Sequence, residues 1–482
     1  MRISGFENIV HLTQFALDKS CGAHSVLRFA ASIRAEDAEA FLGRAGQEIQ
    51  VLWDGEEKPK CIFSGKAEEV RILKQMHLHS VEVRALSLSA AECAEEHTRI
   101  WQSPSKKLGE VLSASKLALA ANDLRLAPAL AAQPYAEPIL QNQESNFAFL
   151  LRMSAYMGIP LWIDDTKKGK GAIALAEALS ETAREIAAED ILRYVADREK
   201  SGRQSFTLTL PKYLPFGSKV KIAGESGEYV ICALHVELRR EIYEFSYQLQ
   251  PYAPWKYQAA PWPRLEKAVC LKGIVENNRD EQNLGRLQIS FKEAGIQEMD
   301  AERMWMPYHS PYTGLAGGMV FLPDNGDKVN AVFSNEGLYA SAALRENVLA
   351  EECRKIEDKY LGNNTLQRIF FRDKSLMIAS GDYSMLMDEE KIKLTVGEST
   401  VTMSKEAITL KQGPTELLLD NKGIYLKAGG SEMACSDQGI TGRAKQNIGW
   451  DAPGGIDLAG KGRINIEAKG ALSLNGSIVN IG

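Results

Sequence analysis

The chain has 482 residues, 45% of them hydrophobic and 25% charged, with a formal net charge of −6. That length is too great for one ordinary core and predicts several domains. No basic stripe accompanies the acidic balance, which argues against nucleic acid as a partner. The seven cysteines fall in no CxxC pair, which argues against a disulfide framework or a zinc site.

Met1–Phe6 leads to His11 and Asp18 with no apolar signal core, and no stretch reaches the roughly 18 apolar residues a membrane helix needs. The expectation is a protein made and folded in the cytoplasm and expelled, if at all, by another route. Strands are predicted at Val26–Ile33, Glu48–Trp53, Lys60–Lys66 and Ser80–Leu88. Ser103-Pro104 has the chemistry of a helix start, with Leu108, Val111 and Leu112 on one face. A second helix carries Phe147, Leu150, Leu151 and Ala155 and stops at Gly158, with Pro160 behind it. Leu161-Trp162-Ile163 follows as a strand. A second strand-rich set is predicted at Phe206–Leu210, Lys219–Ile222, Tyr229–Leu238 and Tyr243–Pro251.

Residues 268–345 read as five short strands: Cys270–Glu276, Gly285–Phe291, Arg303–Pro307, Gly318–Leu322 and Lys328–Phe333. Five such strands in so short a span suit an OB-like barrel. The acidic residues Glu346, Glu351, Glu352, Glu357 and Asp358 that follow read as a charged linker.

The last third is a repeat. Apolar strand centres run Ile392, Val401, Ile408, Leu417, Ile424, Met433, Ile440, Ile448, Ile456, Ile464 and Leu472, in steps of 9, 7, 9, 7, 9, 7 and then 8 throughout. Most units carry a second apolar residue two places on, the alternation of a strand with one buried face. A unit of eight residues is too short to bury that face alone. It fits one face of a three-sided prism shared by three chains, whose core residues would be Ile392, Val401, Ile408, Leu417, Ile424, Ile440, Ile448, Ile456, Ile464 and Leu472. A sandwich of regular hairpins is the plainer alternative.

Two segments carry a family resemblance. Gln141-Asn142-Gln143-Glu144-Ser145-Asn146-Phe147, continuing to Met157-Gly158-Ile159-Pro160, resembles the QYxESDxxFLxRLxExxGI run of VgrG-type hubs. Gly273-Ile274-Val275, Leu284-Gly285-Arg286-Leu287-Gln288-Ile289, Met304-Trp305-Met306-Pro307, Gly317-Gly318-Met319 and Gly326-Asp327-Lys328-Val329 match, in order and spacing, the barrel of VgrG-type spikes of type VI secretion systems and phage tails.

The resemblance implies a mainly β protein with an α+β hub at 1–265, in which 1–95 and 203–255 are two small hub β-barrels. An OB-fold barrel at 266–345, a linker at 346–371 and a trimeric triple-stranded β-helix, or β-prism, at 372–482 complete it. It further implies a non-enzymatic homotrimer that meets a tube hexamer and baseplate wedge proteins at the hub and carries effector cargo. The target membrane would be punctured transiently, and a PAAR-type tip protein would dock on Val479, Asn480, Ile481 and Gly482. A phage or prophage tail spike, and a polysaccharide-cleaving β-helix enzyme, stay open as alternatives.

Other chemistry has little to stand on. His77 and His79 flank Leu78 in a predicted strand but lack an evident third metal ligand. Lys168-Gly169-Lys170-Gly171 lacks the spacing of a phosphate loop. No cofactor or catalytic residue is predicted.

Overall fold

The computed structural model describes residues 1–55, 58–113, 117–135, 137–198, 200, 204–252, 268–313, 319–334, 337–344, 357–363 and 365–480. It divides into two compact units, Met1–Arg345 and Glu346–Gly482. The expected boundary at 265/266, the glycine run at 314–318, most of the acidic segment 345–356, and Ile481 and Gly482 lie outside the described residues.

In the first unit the two expected strand sets form one twelve-stranded sheet. The join is the antiparallel pairing of Ala16–Ser20, within strand His11–Ser20, with Ala233–Glu237, within strand Tyr229–Arg239. Leu17 lies opposite Val236 there, and both are fully buried. Burying that pair links the two halves into one core that also holds Leu27, Phe63, Phe245 and Tyr247. Strands such as Val26–Ile33 alternate buried and partly exposed residues, as a sheet with one covered face requires.

The helix Asn146–Met157 forms as its end signals predict. The Ser145 hydroxyl accepts the Ala148 N–H at 3.2 Å, and Gly158 closes the helix with φ +65°. Ser103-Pro104 does not start a helix. Only one turn forms, Leu108–Val111, capped at Lys107. The Ser103 hydroxyl instead bonds Glu302, and its N–H donates to Asp300 at 3.2 Å. The partner that overrides the cap lies about two hundred residues away in sequence.

The barrel region forms a five-stranded sheet in the order Trp305–Met306, Leu287–Ser290, Val269–Asn277, Lys328–Ser334 and Gly337–Leu344. The predicted strand at 318–322 is absent among its described residues. Met319 donates its N–H to the Tyr312 carbonyl at 3.0 Å, and its own carbonyl accepts the Ser310 hydroxyl, a loop pattern and not a ladder. The fifth strand, Gly337–Leu344, was missed because Ala340, Ser341, Ala342 and Ala343 give little apolar contrast. Gln297–Glu298 pairs in parallel with Arg99–Ile100, and Asp300 accepts the Gln102 N–H at 2.9 Å, so the barrel is stitched to the rest of its unit.

The second unit is an antiparallel meander of eleven strands in chain order, from Lys359–Gly362 to Gly439–Arg443. Two of them, Lys359–Gly362 and Gln367–Arg372, fall where a linker was expected. From Gln367 on, strands of six residues joined by two-residue turns give the eight-residue step. Consecutive strands of one chain therefore pair with each other by hairpins over this stretch.

The two kinds of turn differ. At one edge Gly381, Gly397, Gly413 and Gly429 open the turns with φ of 58°, 57°, 51° and 58°. At the other edge a side chain takes over: Asp388 Oδ1 accepts the N–H groups of Glu390 and Lys391 at 2.9 and 2.8 Å, and Asp420 Oδ1 does the same for Lys422 and Gly423. Ser404 plays that part with its hydroxyl. The structural repeat is thus sixteen residues, one hairpin. Gly413→Ala forces an L-residue into the left-handed region and is expected to cost about 1–2 kcal/mol. Denaturant titration of the full chain should show it as an earlier unfolding midpoint for this unit.

Candidate functional site

The meander presents two unlike faces. On one, cross-strand partners line up in two apolar columns. The first runs Ile369, Ile378, Met385, Leu394, Val401, Leu410, Leu417, Leu426 and Met433. The second includes Phe371, Leu376, Met387, Ile392, Met403, Ile408, Leu419, Ile424, Cys435 and Ile440. The opposite face carries a ladder of alternating charge, Lys411, Glu416, Lys427, Glu432 and Arg443, each opposite the next. Such pairs support the sheet and suit solvent.

The apolar face is uncovered within this unit. Leu394, Leu410 and Leu426 are 42%, 42% and 46% exposed, and Ile408 and Ile424 are 39% and 47% exposed. Two continuous apolar columns left open to water mark an interaction surface.

Most of the predicted core residues fall on these columns. Ile392, Ile408, Ile424 and Ile440 share one, and Val401 and Leu417 share the other. Steps of 9 and 7 alternate because consecutive strands run antiparallel: partners across one edge lie seven residues apart, as Leu394 and Val401 do, and across the other nine, as Val401 and Leu410 do. The same steps run back through Ile369, Ile378, Met385 and Leu394, so the repeat was legible earlier than Ile392.

Beyond Arg443 no strand forms among the described residues, although Ile448, Ile456, Ile464 and Leu472 keep a step of eight and are about half exposed. Sixteen residues past Gly429 stands Lys445, where a turn glycine would continue the hairpins. The hairpins end there. Val479 is 47% exposed.

The barrel's motif residues have physical reasons. A Cβ on Gly273 would lie 2.3 Å from Ile289 Cγ2, so only glycine fits beside that strand. Asp280 receives Arg286 twice, from Nε to Oδ2 and from Nη2 to Oδ1, each at 2.8 Å, and also accepts the Gln282 and Leu284 N–H groups. The Arg286 guanidinium holds the Asp280 carboxyl well below the usual carboxylate range. Arg286 in turn lies 5.9 Å from the Trp305 ring. A depressed carboxylate stabilises the fold above its unfolded pKa near 3.8 and loses that contribution as pH falls further. Stability should therefore fall from about pH 4 toward pH 2 in the parent chain, and Asp280→Ala should flatten that part of the profile. Thermal melts at stepped pH would read it.

Elsewhere, His77 sits in the turn before strand Leu78–Ser87, so it does not share a strand face with His79. Among the described residues no three His, Cys, Asp or Glu side chains group as a metal site. No helix among them is long and apolar enough to cross a membrane.

Residues 271–344 match the family described as the type VI secretion system/phage-baseplate injector OB domain. The Escherichia coli c3393 protein, a type VI secretion component described as similar to the T4 phage tail proteins gp27 and gp5, aligns at 15% identity with a TM-score of 0.50, over 71% of this chain and 99% of that one. The VgrG complex with PdpA from Francisella, in its lidded form, aligns at 10% identity and TM-score 0.50 over 90% of this chain and 76% of that chain. A lidless PdpA–VgrG complex gives 10% and 0.51, over 90% and 94%. A search of curated proteins found no match. The likeness to VgrG-type spikes thus runs from motif to fold: mainly β, with an injector OB domain.

Proposed function

We propose that this protein is the homotrimeric central spike of a contractile injection apparatus, a structural part with no catalytic role. The observation that carries the reading is the two-faced meander. Three copies that turn their apolar columns toward a common axis bury them and leave the charge ladders in water. Ile392, Val401, Ile408, Leu417, Ile424 and Ile440 then line the prism core.

Past Ile440 the step becomes uniform, so successive units no longer alternate in direction. That spacing supports a second stretch in which Ile448, Ile456, Ile464 and Leu472 sit on strands paired between chains, as a triple-stranded β-helix. Such a needle carries hydrogen bonds from chain to chain along its length and resists bending under thrust.

On this reading residues 1–265 are the hub, with two related barrel-like halves that meet a tube hexamer and baseplate wedge proteins. The OB barrel joins hub to needle, and Val479 to Gly482 receive a PAAR-type tip. Effectors ride on the spike, and the target membrane is crossed only in passing. The first test is the mass of the purified full chain in solution. Light scattering should give three times the 53.2 kDa chain mass, unchanged on dilution. A stable monomer would sink the reading.

A further inference from the structure

We propose that Cys93 is a nucleophilic thiol with His24 as its base, and that this pair is a site of covalent modification by soft electrophiles. Cys93 ends the short 3-10 helix Leu88–Cys93 and is exposed. His24, in the loop between strands His11–Ser20 and Val26–Ile33, places Nε2 3.3 Å from the Cys93 Sγ.

A chain of hydroxyls orients the imidazole. His24 Nδ1 lies 2.8 Å from Ser89 Oγ, which lies 2.8 Å from Ser87 Oγ. Ser87 Oγ already accepts the Ser25 N–H at 3.1 Å. Of the two directions open to this chain of hydroxyls, the proposed base requires the one in which Ser89 donates to Ser87 and His24 Nδ1–H donates to Ser89. That leaves the Nε2 lone pair facing the thiol. The ring is also packed against Phe147, 4.0 Å between centroids, so it cannot swing away freely. A nucleophile, a base in reach and a third group orienting the base form an activated-thiol arrangement.

Burial pushes the His24 imidazole down and the Cys93 thiol up, so the resting pair is neutral. The nearby carboxylate of Glu92 also acts on the thiol in that direction, while the Ser145 hydroxyl opposes it. Glu92 itself is occupied by the Ala120 and Ala121 N–H groups. The proton therefore moves during attack and not before it. With iodoacetamide, Sγ forms a bond to the methylene carbon, the carbon–iodine bond breaks, iodide leaves with its electron pair, and His24 Nε2 takes the thiol proton.

The chain supplies its own control. Cys270 is exposed too, lies outside the apolar columns, and has no imidazole partner among the described residues. Pulsed labelling of the native full chain with iodoacetamide, read by peptide mass spectrometry, should modify Cys93 at least ~10-fold faster than Cys270 at pH 7. Between pH 7 and 8 its rate should stay nearly flat, because His24 is already neutral, whereas an unassisted thiol's rate rises about tenfold. His24→Gln should erase both effects. If that variant fails to fold, Ser89→Ala should lower the Cys93 rate with the melt unchanged, because Ser89 only positions the ring. Equal labelling of Cys93 and Cys270, or a Cys93 rate indifferent to His24→Gln or Ser89→Ala, would overturn the proposal. Either result leaves the spike reading untouched.

Discussion

Asp at both 410 and 417 should reduce the proposed trimer to monomers or drive it to precipitate. Leu410 and Leu417 are direct cross-strand partners in one apolar column. In a trimer, Leu410→Asp with Leu417→Asp would bring six carboxylates to the prism axis. Each would have to be buried without a partner, at several kcal/mol apiece, which is far more than a prism interface of this length can absorb. Light scattering should then report the single-chain mass or large aggregates. The matched control swaps the charges of an adjacent pair on the other face, Lys411→Glu with Glu416→Lys. Those residues are also direct partners, and the swap should leave the mass trimeric. If the double aspartate variant stays a trimer of normal stability, the apolar columns do not face the axis.

The second large effect lies in the hub. Lys19 and Asp165 form an ion pair in which both side chains are 1% exposed. Lys19 sits at the seam of the large sheet, opposite Leu234, and Asp165 follows the strand Leu161–Asp164. Asp165→Ala strands an ammonium group in the interior and should cost about 3–5 kcal/mol. The double change Lys19→Met with Asp165→Leu removes both charges and should recover most of that loss. Denaturant unfolding of the two variants beside the parent measures the difference. If Asp165→Ala were as stable as the parent, the pair would not be desolvated.

The ion pair also shows what sequence reading can and cannot reach. Its members lie 146 residues apart, and nothing local to Lys19 marks it as buried. Ser103 was misread for the same reason: its local chemistry is that of a cap, but Asp300 and Glu302 claim it from about two hundred residues along the chain. The seam joining the two strand sets is likewise a long-range pairing, and nothing local announced that they share one sheet. Local signals fared better. The helix Asn146–Met157 begins and ends where Ser145 and Gly158 say it should, because caps act within one turn. The octads were legible because every unit repeats the same burial problem. Their hairpin connection was not, although the alternation of 9 and 7 already encoded it: a uniform winding cannot produce unequal steps.

The sixteen-residue hairpin has a consequence for how such a needle can change length. Removing 399–414 takes out one hairpin, about 10 Å of stack, and rejoins a glycine edge to a glycine edge with both columns intact. Removing only 399–406 would set Ile408 opposite Thr395 in place of Val401 opposite Leu394, and would turn every following apolar side chain to the charged face. Lengthening and shortening are therefore quantised in hairpins as far as Arg443. Past Lys445, where the step is a uniform eight, the quantum halves. Length changes under the proposed β-helix should therefore come in single octads past Lys445 and in whole hairpins before Arg443, so length variants should cluster past Lys445.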